Sequence, residues 1–97
     1  MAHERLTEQE IQDHFDALGG AWELEDHRIG CDYKFQDFKA TMVFVNQVAE
    51  LSEKADHHPD ILIHGWNNVR ITLSTHSAGG LTMKDFNLAR QIDGLLR

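Results

Sequence analysis

Apolar residues in this chain switch between helical and strand spacing, and each switch marks an element. Thr7 and Glu10 form a capping box, and Ile11, Phe15 and Leu18 follow at helical spacing until Gly19-Gly20 stops the run. Trp22 and Leu24 then alternate with polar residues, Asp26-His27 reads as a turn, and Ile29, Cys31, Tyr33 and Phe35 alternate with Arg28, Gly30, Asp32 and Lys34. This pattern predicts a β-hairpin with one face buried. From Asp37 the helical period returns, and Phe38, Met42, Val45 and Ala49 are expected to form its buried stripe, with Leu51 and Ser52 near the end, until Pro59 forbids continuation. Ile61-Leu62-Ile63 starts a further strand, and Val69, Ile71 and Leu73 alternate with Arg70, Thr72 and Ser74 in another. Ser77-Ala78-Gly79-Gly80 reads as a loop. Thr82 with Asp85 is a second capping box, opening a helix whose buried stripe is expected at Leu88, Ile92, Leu95 and Leu96.

The resulting order, α-β-β-α-β-β-α, predicts an α+β fold: a four-stranded antiparallel sheet with three helices on one face. With 97 residues and no linker, repeat or low-complexity tract, the chain is expected to form a single domain over residues 1–97. The formal net charge of -7, with basic residues scattered singly, argues against nucleic acid or an anionic membrane as partner. The lone Cys31 excludes an internal disulfide and a multi-cysteine zinc site. No apolar leader is visible and no apolar run reaches the roughly 20 residues of a bilayer span, so a cytoplasmic protein is expected.

Seven histidines then carry the search for chemistry. His3, His14 and His27 read as solvated surface residues. His57-His58-Pro59 sits between a helix and a strand, flanked by Glu53, Asp56 and Asp60. A helix dipole accounts for one histidine there, but poorly for two followed by proline. His76 is expected at the end of the last strand, on the outward parity of Ser74, before a Gly-rich loop that could border a pocket. Asp85 already has a structural reason as the capping-box acid, although such a carboxylate can also orient an imidazole. Three imidazoles and a carboxylate are a possible set for zinc or iron, yet no His-x-x-x-His pair exists to present two of them together. No nucleophile elbow or phosphate loop is present. Metal-free acid–base catalysis by imidazoles suits the pattern best, since an ordinary imidazole pKa near 6.5 allows transfer both ways at neutral pH.

At these residues the chain resembles the pterin-4a-carbinolamine dehydratase family. The stretch Glu53-Lys54-Ala55-Asp56-His57-His58-Pro59 is similar to its signature, as are Trp66 and Val69 through His76, then Gly80-Leu81, and Asp85 nine positions beyond His76. Trp22-Glu23 and Phe35-x-Asp37-Phe38 extend the likeness over nearly the whole chain. Six residues, 60 to 65, separate Pro59 from Trp66, one more than the family spacing implies, and Gly65 is expected to form a bulge or shift the turn.

The resemblance implies a hydro-lyase that dehydrates 4a-hydroxytetrahydropterin to quinonoid dihydropterin, in tetrahydrobiopterin recycling, with no cofactor and no metal. It implies catalytic roles for His57, His58, His76 and Asp85, with His57 and His76 flanking the reacting edge and Asp85 orienting or tuning His76. His57 reads as base toward N5 and His76 as acid toward the hydroxyl, an assignment that the sequence leaves open in either direction. It places the substrate against Asp56, His57, His58, Ser74, Thr75 and His76, with Glu53 and Trp22 as rim candidates. It further implies a homodimer or homotetramer and a functional link to an aromatic amino-acid hydroxylase. The competing expectation is a non-catalytic protein-binding or assembly module on the same fold.

Overall fold

The structure, a computed structural model, describes residues 4–96; Met1, Ala2, His3 and Arg97 lie outside it, and with them the expectation for His3. Along the described chain run α1 (Glu8–Asp16), β1 (Trp22–Glu25), β2 (Arg28–Lys34), α2 (Phe38–Ala55), β3 (Asp60–His64), β4 (Asn68–Leu73), a short 3-10 turn (His76–Ala78) and α3 (Met83–Gly94). The strands form one antiparallel sheet, as the alternating pattern predicts, and their order is β1-β2-β4-β3.

The two central strands set the core. Ile29 and Cys31 of β2 and Val69, Ile71 and Leu73 of β4 point to the same face and are sealed from solvent. Against them lie Phe44 and Val48 of α2 and Phe86, Leu88, Ala89 and Ile92 of α3, with Ile11 and Phe15 of α1 at the margin. Asp93, at the end of α3, ties the helix layer to the sheet. Its carboxylate accepts from Trp22 Nε1 (3.0 Å) and from the Tyr33 hydroxyl (3.0 Å). Burial first, and then the hydrogen bond with Cys31 and the nearby carboxylate, push the Tyr33 phenol far above its usual range.

The opposite sheet face is polar. Arg70 lies across Gly30 and bridges Glu23 and Asp32, each at 2.7 Å. Gly65 is not a strand bulge. It sits in the β3–β4 turn with φ 58, next to Trp66 with φ 59, and β3 pairs residue for residue with β4 from Asp60↔Thr72 to His64↔Asn68.

Two helix stripes depart from the sequence expectation. The buried residues of α2 are Thr41, Phe44, Val48 and Ser52, while Phe38 is 55% exposed and Ala49 is exposed. Hydrophobicity concealed this face because two of its members are hydroxyl residues. Thr41 Oγ1 donates to the Asp37 carbonyl (2.8 Å) and Ser52 Oγ to the Val48 carbonyl (2.7 Å), so each satisfies its polar atom within the helix. In α3 the stripe runs through Phe86, Leu88, Ala89 and Ile92; Leu95 and Leu96 follow the end of the helix, and Leu96 is 51% exposed.

Candidate active site

The C-terminus of α2 delivers the first histidine. The helix stops at Ala55, short of Pro59, because Asp56 adopts the left-handed conformation (φ 50, ψ 45). The Asp56 N–H returns to the Glu53 carbonyl and the His57 N–H to the Ser52 carbonyl, the paired bonds of a Schellman closure. That conformation costs a residue with a Cβ roughly 1–2 kcal/mol, and a strained position of this kind is a recurrent mark of functional sites. It turns His57 inward, where it is 8% exposed, and leaves His58 outside, paired with Glu53.

The C-terminal end of β4 delivers the second. The strand stops at Leu73, and Thr75 and Gly80 bond to each other in both directions, which folds the intervening residues into a tight loop. His76 therefore opens the 3-10 turn instead of ending the strand, and its side chain is exposed.

Asp85 joins the two segments from below. It is 0% exposed, and Oδ1 lies 2.6 Å from His57 Nε2. Oδ2 accepts from the Thr75 hydroxyl (2.8 Å) and from the Thr82 N–H (3.0 Å), so the capping role at α3 and the histidine contact coexist in one carboxylate. The resemblance implies that Asp85 orients His76; the carboxylate bonds His57 instead. The Thr75 hydroxyl donates to Asp85, so it accepts from the Thr82 hydroxyl at 2.9 Å, and Thr82 Oγ1 in turn accepts from the Lys84 N–H (3.3 Å). This buried chain of donors ends on a carboxylate, which leaves His57 as the donor in its own bond with Asp85. The proton of a neutral His57 then sits on Nε2, and Nδ1 carries the lone pair. Nδ1 makes no hydrogen bond among the described residues and is not sealed from solvent.

Asp56, His57, His58, Ser74, Thr75 and His76, the six residues expected to contact substrate, line one cleft of about 310 Å³. The Thr75 hydroxyl, donating to Asp85 and accepting from Thr82, ties the cleft wall to the buried carboxylate. Trp22 is buried in the core, bonded to Asp93, and does not line the cleft. Sequence reasoning missed Ser77 and Lys84, which complete the lining. Lys84 Nζ donates to the Asp56 carbonyl at 3.2 Å and so clamps the end of α2 to the start of α3. A cation in the first turn of a helix opposes the dipole, and that misplacement was the available signal. Among the described residues no three His, Cys, Asp or Glu side chains converge on a common metal position.

Known proteins place this arrangement in context. The family model described as pterin 4 alpha carbinolamine dehydratase matches residues 4–95. A protein of Acidobacterium capsulatum named "Putative pterin-4-alpha-carbinolamine dehydratase" is 49% identical over 92 residues, covering 95% of this chain and 98% of that one. A Nostoc protein of the same name is 47% identical over 87 residues, 90% of this chain and 91% of its own. Among solved structures, a transcriptional coactivator/pterin dehydratase from Brucella melitensis superposes with a TM-score of 0.88 at 37% identity, covering 95% of this chain and 98% of that one. A pterin dehydratase-like protein described as a RuBisCO assembly factor in the alpha-carboxysome superposes with a TM-score of 0.65 at 25% identity, over 80% of this chain and 92% of its own. Matched over nearly its full length by model, relatives and structure alike, the chain belongs to the pterin 4 alpha carbinolamine dehydratase family.

Proposed function

We propose that this protein is a hydro-lyase that converts 4a-hydroxytetrahydropterin to quinonoid dihydropterin and water. The observation that carries the proposal is the buried His57–Asp85 pair opening on a cleft that His76 also lines, its side chain without a hydrogen-bond partner among the described residues. The N5–H proton passes to His57 Nδ1, and its bonding pair becomes the second bond between N5 and C4a. The C4a–O bond breaks, and the leaving oxygen takes a proton from His76. Oxidation state is unchanged, and solvent exchange restores both imidazoles. Asp85 holds His57 in the tautomer that makes Nδ1 a base and stabilises the imidazolium that forms. His58, Asp56 and Ser74 bind and orient the pterin. Family membership and the exposure of His76 support this division of roles.

The test adds purified protein to a phenylalanine hydroxylase reaction in which the 4a-hydroxy intermediate accumulates. Accelerated decay of that intermediate is expected; unchanged decay with folded protein overturns the proposal.

The assembly-factor description of one structural relative favours a second reading, a protein-binding module without catalysis. Burying a carboxylate and a histidine beneath a polar cleft contributes nothing to a docking surface and costs desolvation. Calorimetry with a dihydropterin separates the two, binding being expected only under the first.

The proposal extends to a cytoplasmic location, to tetrahydrobiopterin recycling beside an aromatic amino-acid hydroxylase, and to a homodimer or homotetramer. Val43 and Leu96, each about half exposed, border an apolar cleft of about 400 Å³ near the start of α2 and support self-association. Sedimentation of the purified protein reads the state directly.

A further inference from the structure

Of the three cleft histidines, His57 is held by Asp85 and His58 by Glu53, whereas the His76 side chain has no partner among the described residues. Its position is therefore set by the backbone of its own loop, which runs from the end of β4 to the start of α3. His76 borders two clefts, the one shared with His57 and a second of about 350 Å³ that Gly79 and Gly80 line as well. A loop with two consecutive glycines has much backbone freedom to lose, so it needs contacts from outside to fix it.

Those contacts come from two sides. At the foot of the loop the Thr75 N–H donates to the Gly80 carbonyl (3.1 Å) and the Gly80 N–H to the Thr75 carbonyl (3.3 Å). Asp85 holds the Thr75 side through the threonine hydroxyl. The Gly80 side is held by the segment before α1. The Leu6 N–H donates to the Leu81 carbonyl at 2.9 Å, and the Leu6 side chain packs half-buried against the core. Arg5 lies along Gly80, where a Cβ would come within 3.0 Å of its Nε and 3.3 Å of its Cδ. Gly80 is buried and Arg5 exposed, so the arginine stem covers the foot of the loop from the solvent side. The segment is itself anchored by the next residue, since Thr7 caps α1 and exchanges hydrogen bonds with Glu10. No residue of α1 is fully buried, and Ile11 and Phe15 reach only the margin of the core. The helix thus adds little to the core, yet its N-terminal cap is where the chain meets the loop bearing His76.

We propose that residues 4–7 are a strap that holds His76 in place for the reaction, with Arg5 and Leu6 as its positioning residues. The inference rests on the function proposed above and adds residues from outside the cleft to it. A reacting group displaced by about 1 Å can lose about 10²-fold in rate. Pterin binding is shared with other cleft residues and does not depend on the strap in the same way. Loosening the strap therefore acts on kcat.

Hydrogen exchange reads the hold on the loop without reference to activity. In Leu6→Ala and in Arg5→Ala, the Thr75 and Gly80 amides are expected to exchange about tenfold faster. The Val69 and Ile71 amides of the central strand β4 keep their protection, which shows the fold intact. Steady-state kinetics then read the consequence, a kcat about tenfold lower with KM unchanged. Arg5→Met keeps an aliphatic stem over Gly80 and is expected to match the wild type. Leu6→Ala is also made in a His76→Ala background, where it is expected to leave the residual rate unchanged because the strap acts through that histidine. Unaltered exchange at Thr75 and Gly80, an unaltered kcat, or a loss of rate that persists without His76 overturns the strap. A wild-type protein without dehydratase activity overturns the reaction instead, and exchange alone then decides whether the segment holds the loop.

Discussion

His57 and Asp85, 28 residues apart in sequence, meet through a 2.6 Å hydrogen bond that is almost wholly buried. The bond fixes which nitrogen of His57 can act. Replacing the acid by its amide tests this with little change in shape. In Asp85→Asn, the Thr75 hydroxyl and the Thr82 N–H still need an acceptor, so the amide oxygen takes the Oδ2 position and the NH₂ faces His57. Nε2 must then accept, and the proton moves to Nδ1, which becomes a donor toward the cleft. The kcat for carbinolamine dehydration is expected to fall by about 10²–10⁴-fold with the fold intact, the range for removing one general base. Stopped-flow decay of the intermediate, alongside circular dichroism, checks it. Near-normal turnover rules out the tautomer assignment.

Thr75 tests the chain behind that pair. Its hydroxyl is the link between Thr82 and Asp85, and the residue is 6% exposed. Thr75→Val keeps the shape and removes one donor from a buried carboxylate, at an expected cost of about 1–3 kcal/mol in unfolding free energy. Thr75→Ser keeps the hydroxyl and is expected to recover most of it. Because His57 is held less firmly, kcat should fall more than KM rises in the valine variant. Denaturant melts and steady-state kinetics on the pair supply both readouts.

The sheet and its inner face were legible in the sequence because a period of two leaves little freedom: once Ile29 and Val69 face inward, so do Cys31 and Ile71. The stripe of α2 was less so, since Thr41 and Ser52 count as polar although their hydroxyls are satisfied by the helix itself. At the site, the residues lining the cleft could be named from two short segments, as each segment is local. Which histidine Asp85 serves could not, because it depends on how the ends of α2 and β4 sit over the start of α3. The left-handed turn at Asp56 decides that geometry, and an aspartate does not announce such a turn as a glycine would.

Gly30 and Arg70 offer a prediction whose sign changes with context. A Cβ on Gly30 would lie 2.5 Å from Arg70 Nη2, so the guanidinium must swing away and release Glu23 and Asp32. These largely exposed pairs are worth about 0–1 kcal/mol, comparable to the roughly 0.5–1 kcal/mol that alanine gains over glycine within a strand. Gly30→Ala alone is expected to be neutral or destabilising by under about 1 kcal/mol. In an Arg70→Ala background the obstruction is gone, and the same substitution should stabilise. A double-mutant cycle by urea unfolding measures the difference, and additivity would refute the contact.

Cys31 is 1% exposed, and burial pushes its thiol above the ordinary value. Thiolate is the reactive form, so both accessibility and ionisation protect it. The native protein is expected to resist a thiol reagent at neutral pH and to react stoichiometrically once unfolded in urea. Rapid labelling of the native protein would show that β2 opens readily.

The histidines differ enough in setting to be ranked by one experiment. His76 lines the cleft and makes no side-chain bond among the described residues, as a group exchanging protons with both substrate and water requires. His58 is exposed and hydrogen-bonded to Glu53, and it borders the same cleft. His64 ends β3, where it is exposed and lines neither of the two clefts that His76 borders. Substituting each by alanine should therefore separate three effects. His76→Ala is expected to lower kcat by about 10²–10⁴-fold with little change in pterin affinity. In His58→Ala the loss should appear mainly as a raised KM, by about tenfold for one lost charged or polar contact. His64→Ala should leave both constants unchanged. Steady-state kinetics on the three variants, with dihydropterin binding measured in parallel, distinguish chemistry from binding. A His76 variant that turns over at the rate of the His64 variant would transfer the acid's role to another group in the cleft, for which Lys84 is the nearest candidate by charge.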